Sequence, residues 1–267
     1  MATMPDRKHH FHAESTALHA DLKHPLHQEI KPQGFVKLNE GGGYLSEHAQ
    51  DYRVEGVVSY KKAYTHVAGH RSSKPEGGWI TLVTSAVENL NVLDVVTADR
   101  VVAQMSTHHH NDGYIPGITF LGTRFENLRI AGEPVTAKLN INILGPKPAN
   151  DGIYLENPAF LKQAGLTSPP AGVVDEWKKH IEARKARKET PKPAAAVNCS
   201  LATGVTAGPW KVSGNMIDVP EFGQIFLAEL KVECDTFHLT MLRLEMGCLA
   251  AGRMVSGDGI VNGTTKP

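Results

Sequence analysis

Two stretches in the middle of the chain decide its fold class: Trp79-Ile-Thr-Leu-Val-Thr-Ser-Ala-Val87 and Val92-Leu-Asp-Val-Val-Thr-Ala-Asp-Arg-Val-Val-Ala-Gln-Met105. Both are rich in β-branched residues, which favour strands. Similar runs lie on either side of them at Val54–Val67 and Ile118–Ile130. Glycine-rich turns such as Gly77-Gly78 separate the runs. The pattern predicts a mainly β protein.

Three further runs extend this prediction toward both ends of the chain. His9–Leu22 alternates loosely between polar and apolar residues, which indicates an early strand. Gln224–Val232 and Phe237–Ala250 predict two long strands, and the second has apolar residues on both faces, as a central strand covered on both sides would. We expect an antiparallel β-sandwich or barrel with a short helical insertion, and a β-solenoid is the alternative.

One short motif occurs twice. Val87-Glu-Asn-Leu-Asn-Val92 resembles Phe125-Glu-Asn-Leu-Arg-Ile130, and the two asparagines are 38 residues apart. A period near 40 is typical of repeated supersecondary units. A solenoid, a duplicated strand–turn unit within a sandwich and chance similarity all remain open at this point.

Composition divides the chain into three regions. Residues 1–34 form a histidine-rich N-terminal segment, and residues 35–267 form a β-rich domain. A proline-rich insertion at 145–197 interrupts this domain, and within it we predict short helices over Pro158–Leu166 and Asp175–Lys188.

Several segments together resemble a known family. They are Ser85–Gln104, Phe125–Val135, Gln224–Leu230, Phe237–Leu244 and Gly257–Asn262. Their order resembles the choice-of-anchor P family of bacterial β-rich surface proteins. The resemblance implies a β fold and a surface location, and it carries over no catalytic residue.

Charge and cysteine content limit the classes of partner. The chain has 28 basic and 28 acidic residues, so its charge does not favour bulk nucleic acid and does not oppose self-association. The N-terminus lacks a secretion signal and no apolar window reaches 18 residues, so we expect a cytoplasmic protein without a transmembrane segment, with a surface location as the alternative. Cys199, Cys234 and Cys248 predict free, buried thiols.

The best metal-binding candidate is His10, His12 and Glu14. These residues share one face of a strand, which places two imidazoles and a carboxylate side by side for zinc, iron or manganese. A further ligand could come from His108-His-His110, or from His66 or His70. A solvated, histidine-rich segment is the alternative reading.

Two other groups are weaker candidates. In His108-His-His110, adjacent residues of a strand point to opposite faces, so His108 and His110 are the pair that could share an ion. Tyr60, Lys62, Tyr64 and His66 alternate along Val54–Val67, and we predict that they form one ligand-binding face for a flat ligand, a sugar or another copy of the chain. A solvated sheet face is the alternative.

No nucleophile elbow, phosphate-binding loop, dinucleotide fingerprint or zinc-protease motif occurs in the chain. We therefore expect a non-catalytic structural or binding protein that forms a homo-oligomer through β surfaces, including strand exchange of His9–Leu22. The alternative is a metal-dependent enzyme or metal-binding protein that uses the N-terminal histidines.

Overall fold

The computed structural model describes residues 7–24, 27–54, 56–74, 77–111, 113–149, 152–186, 188, 195–247 and 251–266. Strands account for 60% of the residues, which confirms a mainly β protein. Two antiparallel sheets pack face to face, so the fold is sandwich-like rather than a solenoid.

The described residues form eighteen strands, two α-helices and one turn of 3-10 helix. The strands are β1 (Lys8–Leu22), β2 (Gln28–Gln33), β3 (Val36–Lys37), β4 (Gly43–Val54), β5 (Val58–Arg71), β6 (Trp79–Val92), β7 (Val96–His109), β8 (Gly117–Thr119), β9 (Arg124–Glu126), β10 (Arg129–Ile130), β11 (Glu133–Leu139), β12 (Val197–Ser200), β13 (Ala202–Ala207), β14 (Lys211–Ser213), β15 (Met216–Val219), β16 (Gly223–Glu233), β17 (Thr236–Met246) and β18 (Gly252–Lys266). The helical elements are a 3-10 turn (Tyr154–Glu156), α1 (Pro158–Gln163) and α2 (Val173–Lys185).

Each sheet is built around long strands. In the first sheet, sheet A, the order is β14-β15-β16-β17-β18-β1-β2, with β12 beside β16 and β3 beside β1. In the second, sheet B, the order is β13-β11-β10-β7-β6-β5-β4, with β8 and β9 beside β7. Strands β1 and β18 pack against β5, β6 and β7, and the core lies between them.

The histidine-rich N-terminal segment contributes a central strand rather than a free arm. β1 pairs with β18 from Lys8 opposite Lys266 to Leu22 opposite Gly252. Its other side pairs with β2 and β3. Both edges of β1 are thus occupied within one chain, and exchange of His9–Leu22 between copies stays a prediction.

The helices lie where the sequence predicts them. The side chain of Asn157 caps the first turn of α1, where Pro158 needs no hydrogen-bond partner for its nitrogen. Helix α2 buries Trp177 and Ile181, whose spacing places them on one stripe. No helix in the described part of the chain has the length and apolar character needed to cross a membrane.

The centre of the core is made of small residues, so the two sheets approach closely. Ser15 in β1 donates a hydrogen bond to the carbonyl of Thr84 in β6, at 2.9 Å. In the reverse direction, Ser85 donates to the carbonyl of Thr16, also at 2.9 Å. A Cβ atom on Gly259 would lie 2.8 Å from a methyl group of Val83, so this position requires glycine.

Sheet A contains a row of residues at which every long strand changes the face that it buries. Ala228, Met241, Gly257 and Ala17 lie side by side, and the regular pairing skips each of them. Ala228 and Gly257 are left-handed, with φ of 50° and 67°. The consecutive buried residues Met241 and Leu242 follow from this change, so the two-sided apolarity of β17 does not require cover on both faces.

Sheet B contains the matching row, and it explains the repeated sequence motif. Asp51, Asn89 and Asn127 are left-handed, with φ of 50°, 54° and 50°, and successive members are 38 residues apart. Lys61 and Asp99 lie between them on the intervening strands. The asparagine of each copy of the motif thus occupies a left-handed position in this row, and Asp51 occupies the equivalent position in β4.

The two copies of the sequence motif begin on β6 and β9, which both pair with β7. Glu88 in β6 and Glu126 in β9 both lie opposite Arg100 in β7. The guanidinium group of Arg100 lies 2.8 Å from the Glu88 carboxylate and 3.4 Å from that of Glu126. The duplication thus places one carboxylate on each side of the same arginine.

Substitution of Asn89 tests whether its left-handed backbone conformation contributes to the stability of the fold. Asn89→Val is expected to reduce the free energy of unfolding by about 1–2 kcal/mol, because a β-branched residue is strained at positive φ. Asn89→Gly is the matched control, since glycine adopts this backbone conformation freely, and it is expected to remain near wild type. Urea denaturation measures both, and equal stability of the two variants would contradict the role of the left-handed backbone.

Candidate functional site

The four residues predicted to form one ligand-binding face on β5 do not all lie on the same face, because the row of face-changing residues in sheet B crosses β5 between them. Lys62, Tyr64 and His66 are on the outer face, as predicted. Tyr60 is only 3% exposed and belongs to the buried core. The strand changes its buried face at Lys61, opposite the left-handed Asp51, so the single alternating face that the sequence predicts does not include Tyr60.

The outer face of β4 and β5 carries a cluster of tyrosine and histidine rings. Tyr44 lies 4.3 Å from His66 between ring centroids, and His48 lies 6.3 Å from Tyr64. Tyr44 is 67% exposed. Aromatic faces of this kind can stack against a flat ligand or another chain.

The candidate metal residues share the outer face of β1, as alternation predicts. His12 Nε2 lies 3.0 Å from the Glu14 carboxylate, which is also 2.8 Å from the ammonium group of Lys37. His10 Nδ1 instead lies 3.1 Å from Glu40. As the side chains lie, no group of three or more histidine, cysteine, aspartate or glutamate residues in the described chain could hold a metal ion. Metal binding here stays a prediction.

The three consecutive histidines are divided between two environments. The rings of His108 and His110 lie 4.1 Å apart between centroids, and His108 Nε2 contacts the carbonyl of Gly77 at 2.9 Å. His109 points into the core and is 2% exposed. Adjacent residues therefore face opposite sides, as the strand pattern predicts.

A buried pair of histidines, which the sequence analysis did not identify as a site, lies at this end of the core. The rings of His9 and His109 are 4.6 Å apart between centroids. Trp79 stacks on His9 at 5.0 Å, and Phe11 meets it edge-on at 4.6 Å. His9 Nδ1 contacts the hydroxyl of Thr265 at 2.9 Å.

Glycine allows the two rings to come together. A Cβ atom on Gly263 would lie 2.4 Å from the His9 ring and 3.0 Å from that of His109. His9 Nε2 and both ring nitrogens of His109 are buried without a hydrogen-bond partner of normal geometry among the residues that the structure describes. A tetrahedral ion bound to both rings would hold their centroids roughly 5 Å apart or more. The observed spacing is that of packed rings.

Burial controls the protonation of this pair. Burial, followed by the charges of His10 and Arg184, lowers the pKa of His9 to about 4. Burial also lowers the pKa of His109 well below its ordinary value, with smaller effects from His9 and Arg184. Arg184 reaches this end of the core from α2 and forms a buried ion pair with Asp235, where it also contacts Thr264.

The buried histidines are expected to make the fold sensitive to acid. In the unfolded chain their pKa returns to about 6.5, so the unfolded state binds more protons below that pH. Their contribution to stability is complete above pH 6.5 and is lost as the pH falls toward the folded-state values. For His9 alone the loss amounts to about 3 kcal/mol.

Urea denaturation between pH 7.5 and pH 4 measures this loss. His9→Phe keeps a ring against Trp79 but cannot titrate, so its stability is expected to fall less with decreasing pH. His70→Phe is the control, because His70 is exposed on the surface. An unchanged pH dependence in the His9 variant would contradict this account.

A cleft of about 930 Å³ opens on sheet A, lined by residues other than the predicted site residues. Strands β1, β2, β17 and β18 supply most of its lining. Its titratable and charged lining residues are His19, Asp21, Lys23, His27, Glu29, His238, Glu245, Arg253 and Asp258. Charges of both signs are present, so the cleft favours no single class of ligand by charge.

The floor of the cleft contains one polar network. The carboxylate of Asp258 lies 2.7 Å from His238 Nε2 and accepts a hydrogen bond from Thr240 at 2.6 Å. Burial lowers the pKa of His238, but the hydrogen bond and charge of Asp258 outweigh it and raise that pKa overall. Burial lowers the pKa of His19 nearby, so the two imidazoles differ in their tendency to bind a proton.

The described cysteines agree with the prediction of free thiols. Cys199 is half-buried and Cys234 is buried, and neither forms a disulfide. Burial raises the pKa of Cys199 to about 12 and also raises that of Cys234, so both thiols are protonated and unreactive near neutral pH. Cys248 lies outside the described residues.

Comparison with known proteins gives one match. Residues 9–233 match the family model described as "Domain of unknown function (DUF8256)", and the chain belongs to this family. No curated protein and no solved structure matches the chain. The family description assigns no activity to any of the residues above.

Proposed function

We propose that this member of DUF8256 is a non-catalytic binding protein that associates with further copies of itself, and that the free edge of β4 is the association surface. One observation carries the proposal. β4 has twelve residues, ends sheet B and, among the described residues, pairs with β5 alone. A free edge offers unpaired N–H and C=O groups to a strand of another chain.

The exposure of β4 supports this choice of surface. Residues Gly43–His48 are exposed on both faces of the strand. Tyr44 and Leu45, which are 67% and 39% exposed, are two of the four exposed large hydrophobic residues in the described chain. Exposed apolar side chains beside an open edge favour association because pairing removes them from water.

The strand also lacks the usual protection of an edge. Lysine, proline and bulges normally prevent such pairing. Between Gly43 and Gln50 there is neither lysine nor proline, and the left-handed kink comes only at Asp51. The other sheet ends are shorter: β13 and β2 have six residues each, and β14 has three. The net charge of zero adds no repulsion between copies.

Proline substitutions test the edge. Successive N–H groups of a strand point to opposite sides, so either Leu45→Pro or Ser46→Pro removes only an outward N–H. We expect the wild type to exceed 29.0 kDa by light scattering, and one of these variants to run as a folded 29.0 kDa monomer.

The matched control is the other edge of sheet B. Gly204→Pro and Val205→Pro alter neighbouring residues of β13 and are expected to leave the association unchanged. A wild-type chain that remains a 29.0 kDa monomer at high concentration would contradict the proposal.

A metal-binding protein is the second candidate, and the shared outer face of His10, His12 and Glu14 favours it. Elemental analysis of untagged protein is expected to find zinc, iron or manganese if the site exists. His10→Ala combined with His12→Ala would then release the metal. Unchanged metal content and thermal stability in that variant would rule out the site.

A further inference from the structure

We infer that two copies join by antiparallel pairing of β4 with β4 about a twofold axis at Ser46, so that Tyr44 of one copy lies opposite His48 of the other. This inference rests on the proposed self-association and names its partner, a second copy of this chain, and its register. It would join the two copies of sheet B into one continuous sheet.

Symmetry restricts the possible registers. A twofold axis that relates two neighbouring antiparallel strands is perpendicular to the sheet, so it keeps each side chain on the same face. Residues opposite one another also share a face. The axis must therefore pass midway between one residue and the same residue of the other copy. In the exposed part of β4 the central candidates are Leu45, Ser46, Glu47 and His48.

Three of these registers have a physical defect. An axis at Glu47 places two carboxylates directly opposite one another, which is destabilising. An axis at His48 places Leu45 opposite Asp51, where the backbone is left-handed and the strand is kinked. An axis at Leu45 shortens the ladder, because the strand begins at Gly43.

An axis at Ser46 avoids all three defects. The paired segment then runs from Gly43 to Ala49, between the start of the strand and the kink. Leu45 lies opposite Glu47 of the other copy, so no like charges meet. The small side chain of Ser46 faces its own counterpart at the axis.

The outer-face rings complement one another in this register. Within one copy, the Tyr44 ring already contacts the His66 ring, and His48 is near Tyr64. Placing His48 of the second copy opposite Tyr44 continues this row of rings across the boundary. The twofold axis repeats the row, and the exposed ring of Tyr44 gains a neighbour on its open side.

Disulfide trapping tests the register in the full-length chain. Directly opposite residues in an antiparallel pair have Cα atoms about 4.5–5.5 Å apart, within the range that a disulfide spans. Ser46→Cys, in a Cys248→Ala background, is expected to cross-link most chains into a species of twice the mass under mild oxidation. Cys199 and Cys234 are buried or half-buried with raised pKa, so they do not compete.

Two neighbouring variants provide the control. Leu45→Cys alone and Glu47→Cys alone are not expected to cross-link, because each residue lies two positions along the strand from its own counterpart. A mixture of the two variants is expected to cross-link, since Leu45 lies opposite Glu47 of the other copy. Only an axis at Ser46 predicts that neither variant cross-links alone and that the two variants cross-link when mixed.

The possible results separate this inference from the proposed function. An associated wild type in which Glu47→Cys or His48→Cys cross-links with itself overturns the Ser46 register and leaves association through β4 intact. An associated wild type in which no β4 cysteine cross-links overturns pairing through β4. A wild type that remains a monomer overturns both proposals.

Discussion

Two serine hydroxyl groups at the centre of the core set the distance between the sheets. Ser15 and Ser85 each reach across to a backbone carbonyl of the opposite sheet, and both bonds are 2.9 Å long. Such short side chains reach a backbone only if their neighbours are also small, as Gly259 is. Trp177 of α2 is fully buried, so the helical insertion also covers part of the core.

The sequence predicts those parts of the fold that depend on local pattern. Composition and alternation are local, so the long strands and both helices are predicted, within a few residues for β6 and α1. The rows of left-handed residues depend on alignment between strands, which a single sequence does not display. For this reason alternation alone places Tyr60 on the wrong face, and the sequence does not indicate that Asp51 lies in the same row as Asn89.

The candidate sites also fall into those that local pattern predicts and those that depend on contacts between distant strands. Alternation correctly places His10, His12 and Glu14 together, and it separates His109 from His108. The pair formed by His9 and His109 joins opposite ends of the first half of the chain. His9 begins a predicted strand, but His109 lies beyond the predicted run that ends at Met105, so the sequence does not indicate that the two residues meet. The cleft at His238 and Asp258 has no sequence signal either, because its members come from strands that meet only in the folded sheet.

The pairing of Lys8 with Lys266 has a topological consequence. The first and last described strands, β1 and β18, run side by side through the middle of sheet A, so a short linker could connect β18 to β1 as a hairpin. A circular permutant opened in a surface turn would keep every strand pairing and would change only the order of synthesis. The most distant contacts of the native chain would become local ones, and proteins with more local contacts fold faster. In the native order the central strand pair of sheet A, β1 with β18, therefore forms only after β18 has been made.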